Sequence, residues 1–120
     1  MSDSIATSFS SMHSLREGYS ALVIGASGAI GQAFVTHLQA DPRCAGVTAL
    51  SRQSAPGFDL RDEASLQHCA QALADRGPFQ LVLDATGALT LDGHLPEKRL
   101  ADLHAEALLD AMRVNAIGPA

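Results

Sequence analysis

The residues best placed to do chemistry are Gly25-Ala26-Ser27-Gly28-Ala29-Ile30-Gly31, which directly follow the continuous apolar run Ala21-Leu22-Val23-Ile24. Such a run suits a parallel strand buried on both faces. Beyond the loop Ile30, Phe34 and Leu38 recur four apart, which predicts one apolar stripe on a helix from Gly28 to Ala40. The glycines therefore sit at a strand-to-helix junction. A dinucleotide pyrophosphate needs a tight turn there, close approach of the backbone and free N–H groups at the helix start. Glycine meets the first two needs because it has no Cβ. Ser27 adds a hydroxyl for a phosphate or for holding the loop. Gly31, one turn into the helix, lets that helix lie close to the strand. Gly25, Ser27, Gly28, Ile30 and Gly31 are the candidate pyrophosphate residues. The alternative is a glycine-rich turn with a packing role alone.

An acidic residue about 20 positions further on, at the end of the second strand, would bind a ribose 2′-hydroxyl and favour NAD. Here the second apolar run, Gly46 to Leu50, ends in Ser51-Arg52. A small residue leaves room for a 2′-phosphate, and a guanidinium can grip it with two donors. The pair predicts a preference for NADP(H) over NAD(H); the alternative is that Arg52 is a solvated loop residue.

These groups need a scaffold, and the rest of the chain supplies one. Gly57-Phe58-Asp59 is a candidate for a very short third strand. Asp62 can N-cap a helix reaching about Arg76, with Leu66, Cys69 and Leu73 on one side, before the stop signals Gly77-Pro78. Phe79 to Leu83 reads as another buried strand, closed by Asp84, which suits either a ligand contact at the strand end or a cap for the next turn. A loop holding Gly93 and Pro96 follows. A final helix begins near Asp102, with Ala105, Leu108, Leu109 and Met112 as its apolar face and Asn115 on or beside it. Gly118-Pro119 reads as a helix end. Alternating strands and helices imply βαβ units and a parallel sheet. The expected fold is α/β, a Rossmann-type doubly wound sheet that is partial, with about four strands. Residues 1–18 are serine-rich and without period, and are expected to be disordered or loosely docked beside a domain at 19–120.

Composition narrows the classes further. The chain has 120 residues, 47% of them apolar, and a formal charge of −5. An acidic balance argues against nucleic acid or an anionic membrane as partner, and no run approaches the length of a membrane span. Cys44 and Cys69 cannot supply a disulfide scaffold and fit a reducing cytoplasm. Five histidines fall in no metal-ligand spacing, so no metal is expected.

In residues 20–120 the chain resembles the N-terminal half of a short-chain dehydrogenase/reductase. The resemblance rests on the glycine loop, on Ser51-Arg52, on Asp59-Leu60, and on Asp84-Ala85-Thr86-Gly87 paired with Val114-Asn115-Ala116-Ile117-Gly118. It implies adenine contacts at Asp59 and Leu60 and contacts to the adenosine ribose side at Ala85, Thr86 and Gly87. Asn115 matches the family's active-site asparagine, whose carbonyl helps hold a water in a proton relay. The family's Asn-Asn-Ala-Gly tetrad is altered here, since Asp84 and Ala85 replace both asparagines and Thr86 the alanine. The implied activity is hydride transfer between NADP(H) and a carbonyl or alcohol carbon of a small molecule.

The family's Tyr-x-x-x-Lys pair is missing. The one tyrosine, Tyr19, precedes the loop, and the residue four beyond it is Val23. Two expectations follow: a truncated cofactor-binding half that is inactive alone, or a non-catalytic dinucleotide-binding or sensing module. Truncation leaves the Phe79–Leu83 edge and the last helix's apolar face uncovered, so self-association is expected.

Overall fold

The computed structural model describes residues 11–87, 99–117 and 119. The loop with Gly93 and Pro96, most of the serine-rich tail and Gly118 lie outside the described residues. Three strands, β1 (Tyr19–Ile24), β2 (Cys44–Leu50) and β3 (Leu81–Asp84), form a parallel sheet in the order β2-β1-β3. β1 is central: Leu22 stands opposite Thr48 on one side and Val82 on the other. Helices α1 (Ala29–Ala40) and α2 (Glu63–Ala74) make the crossovers.

Side chains alternate along β1, and each face takes one helix. Tyr19, Ala21 and Val23 are fully buried with Leu38 and Val35 of α1. Leu22 packs on the other face with Leu50 and with Cys69 and Leu73 of α2. The molecule is thus an α/β layering of helix, sheet and helix.

Among the described residues the sheet has three strands, not about four. Gly57-Phe58-Asp59 is a loop. The Phe58 N–H is spent on the Ser51 carbonyl at 2.8 Å, and Ser54 Oγ ties the intervening turn to Ser51 O and Pro56 O at 2.8 and 2.7 Å. With its donor used, the segment closes on the end of β2 and sends Phe58 under α2.

The apolar stripe of α1 also differs from expectation. Ile30 is 68% exposed and Phe34 42%, and the buried face is Gly31, Val35 and Leu38. Steps of four residues drift about 40° per step around a helix of 3.6 residues per turn. Leu38 and Ile30 therefore cannot share one narrow contact. The expected Asp62 cap of α2 is present: its carboxylate accepts from Ala64 N–H at 3.0 Å. α2 ends at Ala74, short of Arg76.

Residues 11–18, which composition sets apart from the fold, are tied to it. Met12 and Leu15 pack on the α1 face of the sheet. Asp41, buried at the end of α1, accepts from Met12 N–H (3.0 Å), Tyr19 Oη (2.7 Å) and Arg43 N–H (2.9 Å). Burial works against this carboxylate's ionisation, yet the hydrogen bonds from Met12, Tyr19, Arg43 and Ser11 outweigh it and hold its pKa well below the usual range.

The last helix, α3 (Ala105–Met112), starts after Asp102. Leu100–Asp102 form a separate 3₁₀ turn closed by an Arg99–Asp102 ion pair, and Leu103 and His104 are extended. Leu108, Leu109 and Met112 on α3 are exposed. A π-helical turn, Arg113–Ile117, continues it.

Candidate functional site

Parallel strands deliver their C-terminal ends to one side of the sheet, and in open α/β sheets ligands bind there, where the chain departs in opposite directions from a central strand. β1 is that strand here. A cleft of about 200 Å³ opens at this end, lined by the residues that follow all three strands. Gly25, Ser27 and Gly28 come from β1, Ser51 and Arg52 from β2, and Ala85, Thr86 and Gly87 from β3. Asp59 and Leu60 join them from the loop before α2.

The glycine loop is fixed at both ends. Gly25 and Ala26 donate to Leu50 O at 2.9 and 3.0 Å, which ties the loop to the end of β2. Gly25 has φ +83°, and a Cβ there would stand 2.9 Å from the backbone of Ala85 and Thr86. That position needs glycine both for its φ and for the close approach to the β3 loop. Gly31 does not line the cleft. A Cβ on it would overlap the Gly25 carbonyl oxygen and lie 2.9 Å from Ala26 Cα, so it sets how closely α1 seats beneath the loop. Ile30 also stays out of the lining and joins Ala33, Phe34 and His37 on the outer surface of α1. Gly28 is the N-cap of α1, with no side-chain cap and no acidic residue in the first turn. The helix's own cap and first turn thus supply no anion to the positive end of its dipole.

The β2 loop holds its shape through its own serines. Ser51 N–H donates to Ser54 Oγ at 3.0 Å and Gln53 N–H to Ser51 Oγ at 3.1 Å. Arg52 is exposed, with no carboxylate within ion-pair distance among the described residues. Asp59 is braced by Ser65: Asp59 N–H donates to Ser65 Oγ (3.1 Å), which donates back to Asp59 O (2.9 Å). Its carboxylate accepts from Arg61 N–H at 2.9 Å and lies 3.5 Å from Arg61 Nε.

On β3, Asp84 is used internally. Its Oδ1 accepts from the Thr86 N–H at 3.0 Å and from the Thr86 hydroxyl. Of the two roles open to it in sequence, the turn cap is the one observed, and it holds Ala85–Gly87 in place. Ala85 N–H donates to Ile24 O at 2.8 Å, which fixes the start of that turn to β1. Asn115 is exposed, not a buried amide, because the apolar face of the helix that carries it is itself exposed. Its Oδ1 lies 3.3 Å from where a Cβ on Gly87 would stand, and its neighbour Val114 lines the cleft.

Three lining residues escape sequence reasoning as site residues: Phe58, Arg61 and Val114. Arg61 carried a usable signal, two residues after Asp59 in a turn, the spacing of an aspartate that accepts from the backbone two residues on. Phe58 reads in sequence as part of a candidate strand and Val114 as part of the motif around Asn115; each reaches the cleft through the bend of a loop or a π-turn.

No family model matches the chain, and no curated protein matches it. Among solved structures the chain is similar to the crystal structure of the protein lin1944 from Listeria innocua, with a TM-score of 0.62 and 24% identity. The match covers 83% of this chain and 44% of that one. At this identity the likeness establishes a shared fold, and this chain spans less than half of its neighbour's length.

Proposed function

We propose that the cleft binds the adenosine and pyrophosphate parts of NADP(H), and that the chain is the cofactor-binding half of an oxidoreductase of the short-chain dehydrogenase/reductase type. On this reading the three strands are one wing of a doubly wound Rossmann sheet. The observation that carries it is convergence. Ten residues singled out from four separate stretches of sequence line one cleft at the C-terminal ends of all three strands. The uncapped start of α1 suits the pyrophosphate, Arg52 the 2′-phosphate, and Asp59, Leu60 and Ala85–Gly87 the adenosine. Asn115, at the rim beside Gly87, is the one member of the family's catalytic set in this chain.

The reaction is hydride transfer between the nicotinamide and a carbonyl or alcohol carbon. The group that would exchange the proton, a tyrosine with a lysine four residues on, is absent from these 120 residues, so the chain alone is inactive. The same absence favours a second reading, a dinucleotide-binding or sensing module without catalysis. Both rest on the cleft and share its test. Arg52→Asp is expected to lower the ratio of NADPH to NADH affinity by about a hundredfold, since it exchanges a charge-assisted pair for like-charge repulsion. Fluorescence titration of the two cofactors reads the ratio, and an unchanged ratio rejects the assignment.

A further inference from the structure

The cleft's charge runs against that of the chain. The whole protein is −5, yet among the described residues two arginines, Arg52 and Arg61, and one aspartate, Asp59, line the cleft. That balance depends on Arg61. Asp59 and Arg61 sit on the same wall, with side chains 35% and 22% exposed, and the Asp59 carboxylate is joined to both the Arg61 N–H and its guanidinium. Partial burial on a concave wall strengthens electrostatic coupling relative to open water. Without Arg61, the Asp59 carboxylate would present an uncompensated negative charge to whatever anion Arg52 attracts.

We infer that Arg61 is a specificity-determining residue of the cleft: it neutralises Asp59, so that Arg52 meets a phosphate monoester on an adenosine in a positive field. This rests on the proposed nucleotide site and adds to it a residue whose role is charge balance. Asp59 is then an adenine-side group that a phosphorylated ligand tolerates because it is paired, and Arg61 is a positioning residue acting through it.

The test uses the 120-residue chain and two probes that differ by one phosphate, adenosine 2′,5′-bisphosphate and 5′-AMP, titrated calorimetrically. The unmodified chain is expected to prefer the bisphosphate. Arg61→Gln is expected to weaken bisphosphate binding about tenfold and 5′-AMP binding about twofold or less, a difference on the scale of one charge–charge interaction. Asp59→Asn keeps a hydrogen-bond acceptor for the Arg61 N–H while removing the charge, so Arg61→Gln made in that background is expected to cost the bisphosphate about threefold or less. Arg61→Lys is expected to recover most of the preference. An equal loss for both probes, or the same tenfold loss with Asp59→Asn present, overturns the charge-balance role. Bisphosphate preference that survives Arg61→Gln overturns it while leaving the nucleotide site standing. Absence of any preference in the unmodified chain overturns both, and unfolding thermograms of each variant separate lost binding from lost fold.

Discussion

At the scale of single residues, two glycines do different work in one loop. Gly25 keeps φ at +83° and lets the β1 and β3 loops touch, whereas Gly31 seats α1 under the loop. Adding a methyl group at Gly31 forces it against the Gly25 carbonyl and Ala26 Cα, which costs about 1–3 kcal/mol in a packed site. Gly31→Ala is therefore expected to lower the melting temperature by about 5–15 °C and to weaken NADPH binding, although Gly31 itself lines no part of the cleft. Differential scanning calorimetry beside a titration checks both; full binding at an unchanged melting temperature contradicts the role. Sequence spacing made these glycines legible because their demand is local, a turn and a helix start. Their roles were legible too, a tight turn at Gly25 and close helix seating at Gly31; sequence could not supply which backbone lies opposite each one.

At the scale of elements, the strongest unanticipated feature is the knot around Asp41 at the end of α1. Tyr19 at the head of β1, Met12 before it and Arg43 before β2 all donate to one buried carboxylate. The folded carboxyl titrates well below an unfolded aspartate, so its contribution to stability is complete above the ordinary aspartate range near pH 4 and is lost as pH falls through and below it. Stability measured by denaturant between pH 7 and pH 3 is expected to drop below about pH 5, and Asp41→Asn is expected to flatten that acid limb. Tyr19→Phe removes one hydrogen bond to a charged carboxylate and is expected to cost about 1.5–3 kcal/mol at neutral pH. An acid limb identical in Asp41→Asn contradicts this. The end of α1 at Ala40 falls where sequence places it. The role of Asp41 as a hub was hidden because its partners lie up to 29 residues away. The stripe of α1 was misplaced for a related reason: spacing gives the period, while the sheet's position selects the buried phase.

At the scale of the whole molecule, an apolar surface remains open. β3 is an outer strand whose Val82 is 54% exposed, and Leu108, Leu109 and Met112 on α3 are exposed as well. Unpaired strand edges and contiguous apolar surface drive association. Sedimentation of the isolated chain is expected to show concentration-dependent self-association, reduced by Val82→Lys; a monodisperse monomer at high concentration contradicts it. The α/β class and the pairing of strands through helices were legible from alternating apolar runs. The strand count was not, because a short run such as Gly57-Phe58-Asp59 becomes strand or loop according to whether its donors are taken by neighbours such as Ser51. Ten cleft residues fall together because parallel strands deliver the loops that follow them to one end of the sheet. Arg61 joined them through a turn.

The proposed ligand of this cleft is a 2′-phosphorylated dinucleotide. The most direct measurement is fluorescence titration of the unmodified chain with NADPH and, in parallel, NADH. Saturable binding with NADPH favoured by at least about tenfold is the expected result, the discrimination one charge-assisted phosphate contact supplies. A folded chain that binds neither cofactor, or both equally, contradicts the account.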